Sequence, residues 1–252
     1  MALLLSQLVI CCIPATSSAT TLIVFYNPSD GVILATDSSV GVAKSDEVKS
    51  GRAISSSFRT ECKIRTCGRY FVPESGFGGI IGRSNIPLAC SDVGSSQDIE
   101  ILAGDFMRQA LEELTNYVSY LVQMKEAPAI DDALVSTVIA GYERGHSVLR
   151  YFDLSFAGVE DSKLRFRVTK KIACPGATEC GDLKLVAGQK DAILARQGRH
   201  KNANNLLLLA EELVQTEIDA HRKTRYVLPP ISVVQIKNET PRWFRLGLCV
   251  AK

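Results

Sequence analysis

A chain of 252 residues, 46% hydrophobic and 22% charged, has the make-up of a globular protein; this excludes a disordered chain and leaves room for one large domain or two small ones. Its 29 Lys and Arg stand against 27 Asp and Glu, a net charge of +2 that is too mild and too evenly interleaved for a nucleic-acid or membrane-surface protein. Charge says little more about partners.

The first 19 residues, MALLLSQLVICCIPATSSA, carry no charged side chain. Their apolar stretch from Ala2 to Ile13 is too short to span a bilayer, which needs roughly 20 residues in a helix. Ser17 and Ala19 supply small residues three and one positions before a cut, so residues 1–19 are expected to be a cleaved signal peptide, although its start lacks the usual Lys or Arg. The mature chain would then be a single domain, residues 20–252, secreted or periplasmic, with no membrane contact after cleavage. Cys11 and Cys12 would leave with the signal. Six cysteines would remain in an oxidising compartment, where some should pair. Cys174 and Cys180 bracket a turn-rich loop able to close a short disulfide, but six cysteines allow 15 pairings and the rest stay open. No C-x-x-C or H-x-x-x-H spacing supports zinc, and no metal or other cofactor is expected.

Thr20 to Tyr26 and Gly31 to Asp37 are strand-like runs joined by Asn-Pro-Ser-Asp, which predicts a hairpin. Residues 41–60 are polar and rich in Gly and Ser and read as an exposed loop. A strand pair follows in CKIRTCGRYFVPESG. From Asp98 to Met124, Ile99, Leu102, Phe106, Ala110, Leu114, Val118 and Leu121 recur at intervals of three and four, the period of a helix with one buried face. Pro128 ends it. LVSTVIAGYERGHSVLRYFDLSF then predicts two strands around Glu143-Arg144-Gly145, with more strand near LRFRV and LKLVAG. A second helix is expected from Asn205 to His221, with Leu206, Leu209, Leu213 and Ile218 on one stripe. Beyond Pro229-Pro230, ISVVQIKN and RWFRLGLCV supply a closing hairpin. Strands and helices do not alternate regularly, which argues against a doubly wound parallel sheet. The expected fold is α+β: a four-layer αββα sandwich of two antiparallel sheets flanked by helices. No interdomain linker or internal repeat is visible.

If the cut falls after Ala19, Thr20 carries a hydroxyl and a free α-amine on adjacent carbons. An α-amine has a reference pKa of about 7.7–8.0, so it can take the hydroxyl proton as a general base without a histidine. Threonine paired with its own amine is a recognised activated nucleophile. Read only as β-formers, Thr20 and Thr21 would simply open a strand.

TTLIVFYNPSDGVILATDSS resembles the start of mature proteasome β-subunits and of the bacterial ATP-dependent peptidase related to them: Thr-Thr, a hairpin, then Ala-x-Asp, with the hairpin about one residue longer here than in the bacterial relative. The resemblance implies an N-terminal-nucleophile hydrolase with Thr20 as nucleophile, Asp37 as the acidic position, Lys63 as the lysine opening the next strand, and Gly76 as the oxyanion-hole N–H. AGYERGHSVLRYFD looks like the family's central hairpin. A lysine ammonium beside the hydroxyl eases alkoxide formation, and an aspartate beside the lysine holds it in place. One oxyanion donor is typically worth about 2.7–4 kcal/mol in the transition state. Taken singly, Asp37 reads as a turn cap, Lys63 as an exposed strand residue and Gly76 as a turn.

The chain also departs from that pattern. Ala187 precedes Gly188 where a Ser is expected, Asp219 in EIDAHRK is the nearest match to a later Asp, and Leu228-Pro229-Pro230 replaces glycines. These departures motivate a second reading, a catalytically inactive scaffold acting as a binding or assembly module. The enzyme reading implies a peptide or small-amide substrate, and family membership implies a homo-oligomer of unspecified size. His146, His200 and His221 lack a G-x-S-x-G partner motif. Cys62 and Cys90 are alternative nucleophiles for which oxidation favours a structural role. GFGGIIG is no phosphate loop, and Asn238-Glu-Thr is a glycosylation sequon.

Overall fold

The computed structural model describes residues 21–42, 57–76, 90, 98–123, 125, 127–131, 133–196, 204–223 and 227–249. Residues 1–19 and Thr20 lie outside them, as does His200. The opening hairpin forms from β1 (Thr21–Asn27) and β2 (Gly31–Thr36). The loop expected over 41–60 is flanked by paired strands: β3 (Ser39–Val42) runs antiparallel to β4 (Ser57–Thr60) in a small two-stranded sheet. Polar, Gly- and Ser-rich composition hid them, because a short ladder is held by backbone bonds that composition does not report.

β5 (Ile64–Cys67) and β6 (Tyr70–Gly76) follow, then helix α1 (Ile99–Gln123), β7 (Ala133–Glu143), β8 (His146–Glu160), β9 (Lys163–Cys174) and β10 (Leu183–Gly188). The chain continues through α2 (Asp191–Ala195) and α3 (Leu206–Ala220) to β11 (Ser232–Ile236) and β12 (Arg242–Arg245). Among the described residues two five-stranded sheets result, ordered β10-β1-β2-β11-β12 and β5-β6-β7-β8-β9, with every neighbouring pair antiparallel. The β7–β8 turn uses Arg144 and Gly145, both at positive φ, as a two-residue hairpin requires.

Alternation along β1 explains why its sequence is apolar throughout. Leu22, Val24 and Tyr26 meet Val138, Ala140, Leu149 and Tyr151 between the sheets, while Ile23 and Phe25 meet Leu209, Leu213, Val214 and Ile218 of α3 on the other side. Both faces of the strand are buried. The seven apolar positions predicted for the long helix are all buried in α1, packed on the outer face of the second sheet against Val72, Ile139, Phe152 and Leu154. The fold is thus an α+β sandwich of two antiparallel sheets flanked by helices. Asn205 caps α3, its side chain accepting from Leu208 N at 3.2 Å.

All six cysteines after residue 19 pair: Cys62–Cys249, Cys67–Cys90 and Cys174–Cys180, with Cα separations of 4.7, 4.9 and 5.6 Å, inside the range a disulfide spans. The short loop expected at Cys174–Cys180 is among them. Cys62 and Cys90 hold no free thiol for nucleophilic work. Among the described residues, no helix is long and apolar enough to cross a membrane, and no group of three or more His, Cys, Asp or Glu is arranged to hold a metal ion.

Gly31 opens β2 where the two sheets are tied together, since Ser147 Oγ donates across to Ile236 O at 2.8 Å. Its φ is +74°, and an added Cβ would overlap the Ile236 carbonyl oxygen and lie 2.7 Å from Ser147 Oγ. Gly31→Ala is expected to destabilise the fold by about 2–4 kcal/mol, combining left-handed strain with overpacking. A urea midpoint that does not move would show that the cross-sheet contact yields freely.

Candidate active site

The site begins where β2 ends. Asp37 follows Thr36 directly and is completely buried, so its carboxylate must be satisfied by protein groups. Among the described residues, four donors converge on it. Oδ1 accepts Lys63 Nζ at 2.9 Å and Thr21 N at 2.9 Å; Oδ2 accepts Ser39 N at 2.8 Å and Leu228 N at 3.2 Å. Lys63, 2% exposed, lies just before β5, so the second sheet delivers its ammonium to an aspartate of the first.

Thr21, the first residue of β1, is held from two directions. Its N–H goes to Asp37, and its Oγ1 donates to Gln189 O at 3.0 Å, just past the end of β10, while the Gln189 amide donates to Asp191 Oδ2 at 3.0 Å. Ser38 N donates to Leu228 O at 2.9 Å, Ser38 Oγ to Pro230 O, and Glu61 N to Ser38 O at 2.9 Å. The start of β1, the end of β2, the approach to β5 and the segment before β11 therefore converge on one carboxylate.

Of the residues singled out in the sequence, Asp37 and Lys63 are brought into contact. Gly76 closes β6 in register with Val135 on β7. Thr20 lies outside the described residues, immediately before Thr21. Ala187 is buried in β10 opposite Leu22, and its methyl group belongs to the core between the sheets. Asp219 is a helix-surface charge: its Oδ1 accepts Gln215 Nε2 at 3.0 Å and Arg222 Nη2 at 2.9 Å. His146 sits on the β7–β8 turn and His221 ends α3, where its Nε2 lies 3.4 Å from Glu217 Oε2. Sequence reasoning missed Thr21, Gln189 and the backbone donors Ser39 and Leu228. Ser39 was legible in Asp37-Ser-Ser, where an aspartate accepts from the N–H two residues on. Leu228, 191 residues from Asp37, leaves no local signal.

No family model matches the chain, and no curated protein matches it. Among solved structures it is similar to the Anbu (Gly-1) mutant from Hyphomicrobium sp. strain MC1, at 15% identity over 89% of this chain and 85% of that one, with a TM-score of 0.46. It is also similar to Anbu from the same strain, at 12% identity with the same coverage and TM-score. Anbu (ancestral beta-subunit) from Yersinia bercovieri is similar at 14% identity, covering 88% of this chain and 86% of that one, with a TM-score of 0.48. These findings correct the family assignment that the opening residues implied. No family model of the proteasome β-subunit kind matches, and similarities this distant establish no family membership.

Proposed function

We propose that this chain is a hydrolase of peptide or other amide bonds whose nucleophile is Thr20, exposed when residues 1–19 are removed. The observation that carries this reading is the buried Lys63–Asp37 ion pair, whose carboxylate also accepts the N–H of Thr21. A buried ion pair is costly to desolvate and is weak evidence for stability, so its position next to Thr21 supports a chemical role.

In this mechanism the α-amine of Thr20 takes the hydroxyl proton while Oγ attacks the amide carbonyl carbon. Lys63 stabilises negative charge developing on Oγ, Asp37 positions Lys63, and Gly76 donates its N–H to the oxyanion. The C–N bond then breaks, the amine product departs with the proton, and an ester to Thr20 remains. Water, deprotonated by the same amine, attacks the ester carbonyl; the acid product leaves and Oγ regains its proton. No cofactor enters. Three disulfides and the signal-like first 19 residues support a secreted or periplasmic location. A homo-oligomer built through the outer helices is part of the same reading.

The intact mass of the exported protein is expected to correspond to a chain beginning at Thr20. Any other start leaves no free amine on that residue and ends the mechanism. A silent scaffold is the second reading, favoured by Ala187, which carries no hydroxyl, and by Asp219, engaged at the surface; neither stands ready to orient an amine. Covalent capture of the Thr20 chain by a threonine-directed electrophile separates the two.

A further inference from the structure

Lys63 owes its position to a short run, Glu61 to Lys63, that belongs to no strand; β4 ends at Thr60 and β5 begins at Ile64. One side of the run is pinned by the Glu61 N bond to Ser38 O, the other by the β5 ladder, where Ile64 faces Pro73. Between them, Cys62 is joined to Cys249 across 187 residues. The other disulfides close separations of only 23 and 6 residues.

Cys249 is 4% exposed, and its N–H donates to Leu246 O at 2.9 Å, an oxygen that also accepts Ser232 Oγ at 3.3 Å. Ser232 opens β11 in register with Thr36, the residue before Asp37. A closed circuit results: Asp37 to Lys63 by the ion pair, Lys63 to Cys62 along the chain, Cys62 to Cys249 by the disulfide, Cys249 through Leu246 to Ser232, and Ser232 across the sheet to Thr36 and back to Asp37. A crosslink wanted only for stability could join the ends of the fold anywhere. This one is spliced in beside the lysine.

We propose that Cys62 and Cys249 are positioning residues, whose disulfide fixes the backbone that delivers Lys63 to Asp37 and so sets the efficiency of the hydrolysis proposed above, on which this inference rests. The exported wild-type protein is compared with C62A/C249V, which keeps apolar bulk at the buried position, and with C174A/C180A as a control at the opposite end of β1. Three quantities are read: kcat and KM on an amide substrate, the pH profile of kcat, and the 15N resonance of Lys63 Nζ in lysine-labelled protein, assigned with K63R. In C62A/C249V, kcat is expected to fall about 10- to 100-fold, the cost of roughly 1 Å of misplacement, with KM within about twofold. Its pH profile and the Lys63 resonance should both move, while the control retains wild-type values. A folded C62A/C249V protein with unchanged kcat and an unmoved resonance overturns the proposal. So does a chain that fails to fold both as C62A/C249V and as C62S/C249S, since the disulfide is then purely structural. If wild-type protein hydrolyses no amide, the hydrolase reading falls by itself. The Lys63 resonance then decides positioning alone: displaced in C62A/C249V it supports the disulfide's role, unmoved it refutes it.

Discussion

Thr20→Ala is expected, on the mechanism proposed above, to abolish amide hydrolysis, lowering kcat by about a thousandfold or more, while the melting transition stays where it is. Without Oγ no ester can form, and loss of a nucleophile is among the largest effects a single substitution has on catalysis. Among the described residues, the bonds that anchor the start of β1 belong to Thr21, its N–H to Asp37 and its hydroxyl to Gln189, and the alanine variant keeps both. Thr20→Ser retains an oxygen nucleophile and an amine and should retain measurable activity. Steady-state rates on the two variants, with circular dichroism to certify folding, are the measurement. An alanine variant as active as wild type would falsify the Thr20 mechanism.

The second expected result is an asymmetry between the partners of the buried ion pair. Asp37→Ala should destabilise the protein by at least about 3–5 kcal/mol, the range for breaking a buried pair. It leaves the Lys63 ammonium without its carboxylate and also strips the acceptor from the N–H groups of Thr21, Ser39 and Leu228, each an added cost where burial excludes water. Lys63→Met removes only one of the four donors found among the described residues. The carboxylate keeps three N–H bonds, so the stability loss should sit at or below the lower end of that range while hydrolysis is lost all the same. Urea unfolding of D37A, K63M and the double variant closes a cycle whose coupling is expected to reach about 1–3 kcal/mol. Equal costs for the two single variants would mean that the backbone donors contribute nothing to holding the carboxylate.

Much of the architecture was legible because burial leaves a local mark. The stripe from Ile99 to Leu121 announced α1, and the turn formers at 27–30 and 143–145 announced two hairpins, since period and turn chemistry are properties of neighbouring residues. β3 and β4 escaped because their pairing is not patterned by side chains. The expected site residues Thr20, Asp37, Lys63 and Gly76 were singled out through a resemblance confined chiefly to the opening residues, not through any pattern of their own. Asp37 and Lys63 are 26 residues apart, and each taken singly reads as an ordinary polar residue.

By itself, then, the sequence determined the two long helices, the main hairpins, their buried faces and hence a two-sheet sandwich covered by helices. It also placed two threonines behind a signal-like segment. Only the tertiary structure decided that Lys63 is buried against Asp37, that the same carboxylate also takes the N–H groups of Thr21 and Leu228, and that Cys62 pairs with Cys249 rather than with the nearby Cys67. The reason is the range of the forces involved. Hydrophobic periodicity is written into each element, whereas partners separated by 168, 187 or 191 residues are chosen by the packing of whole sheets.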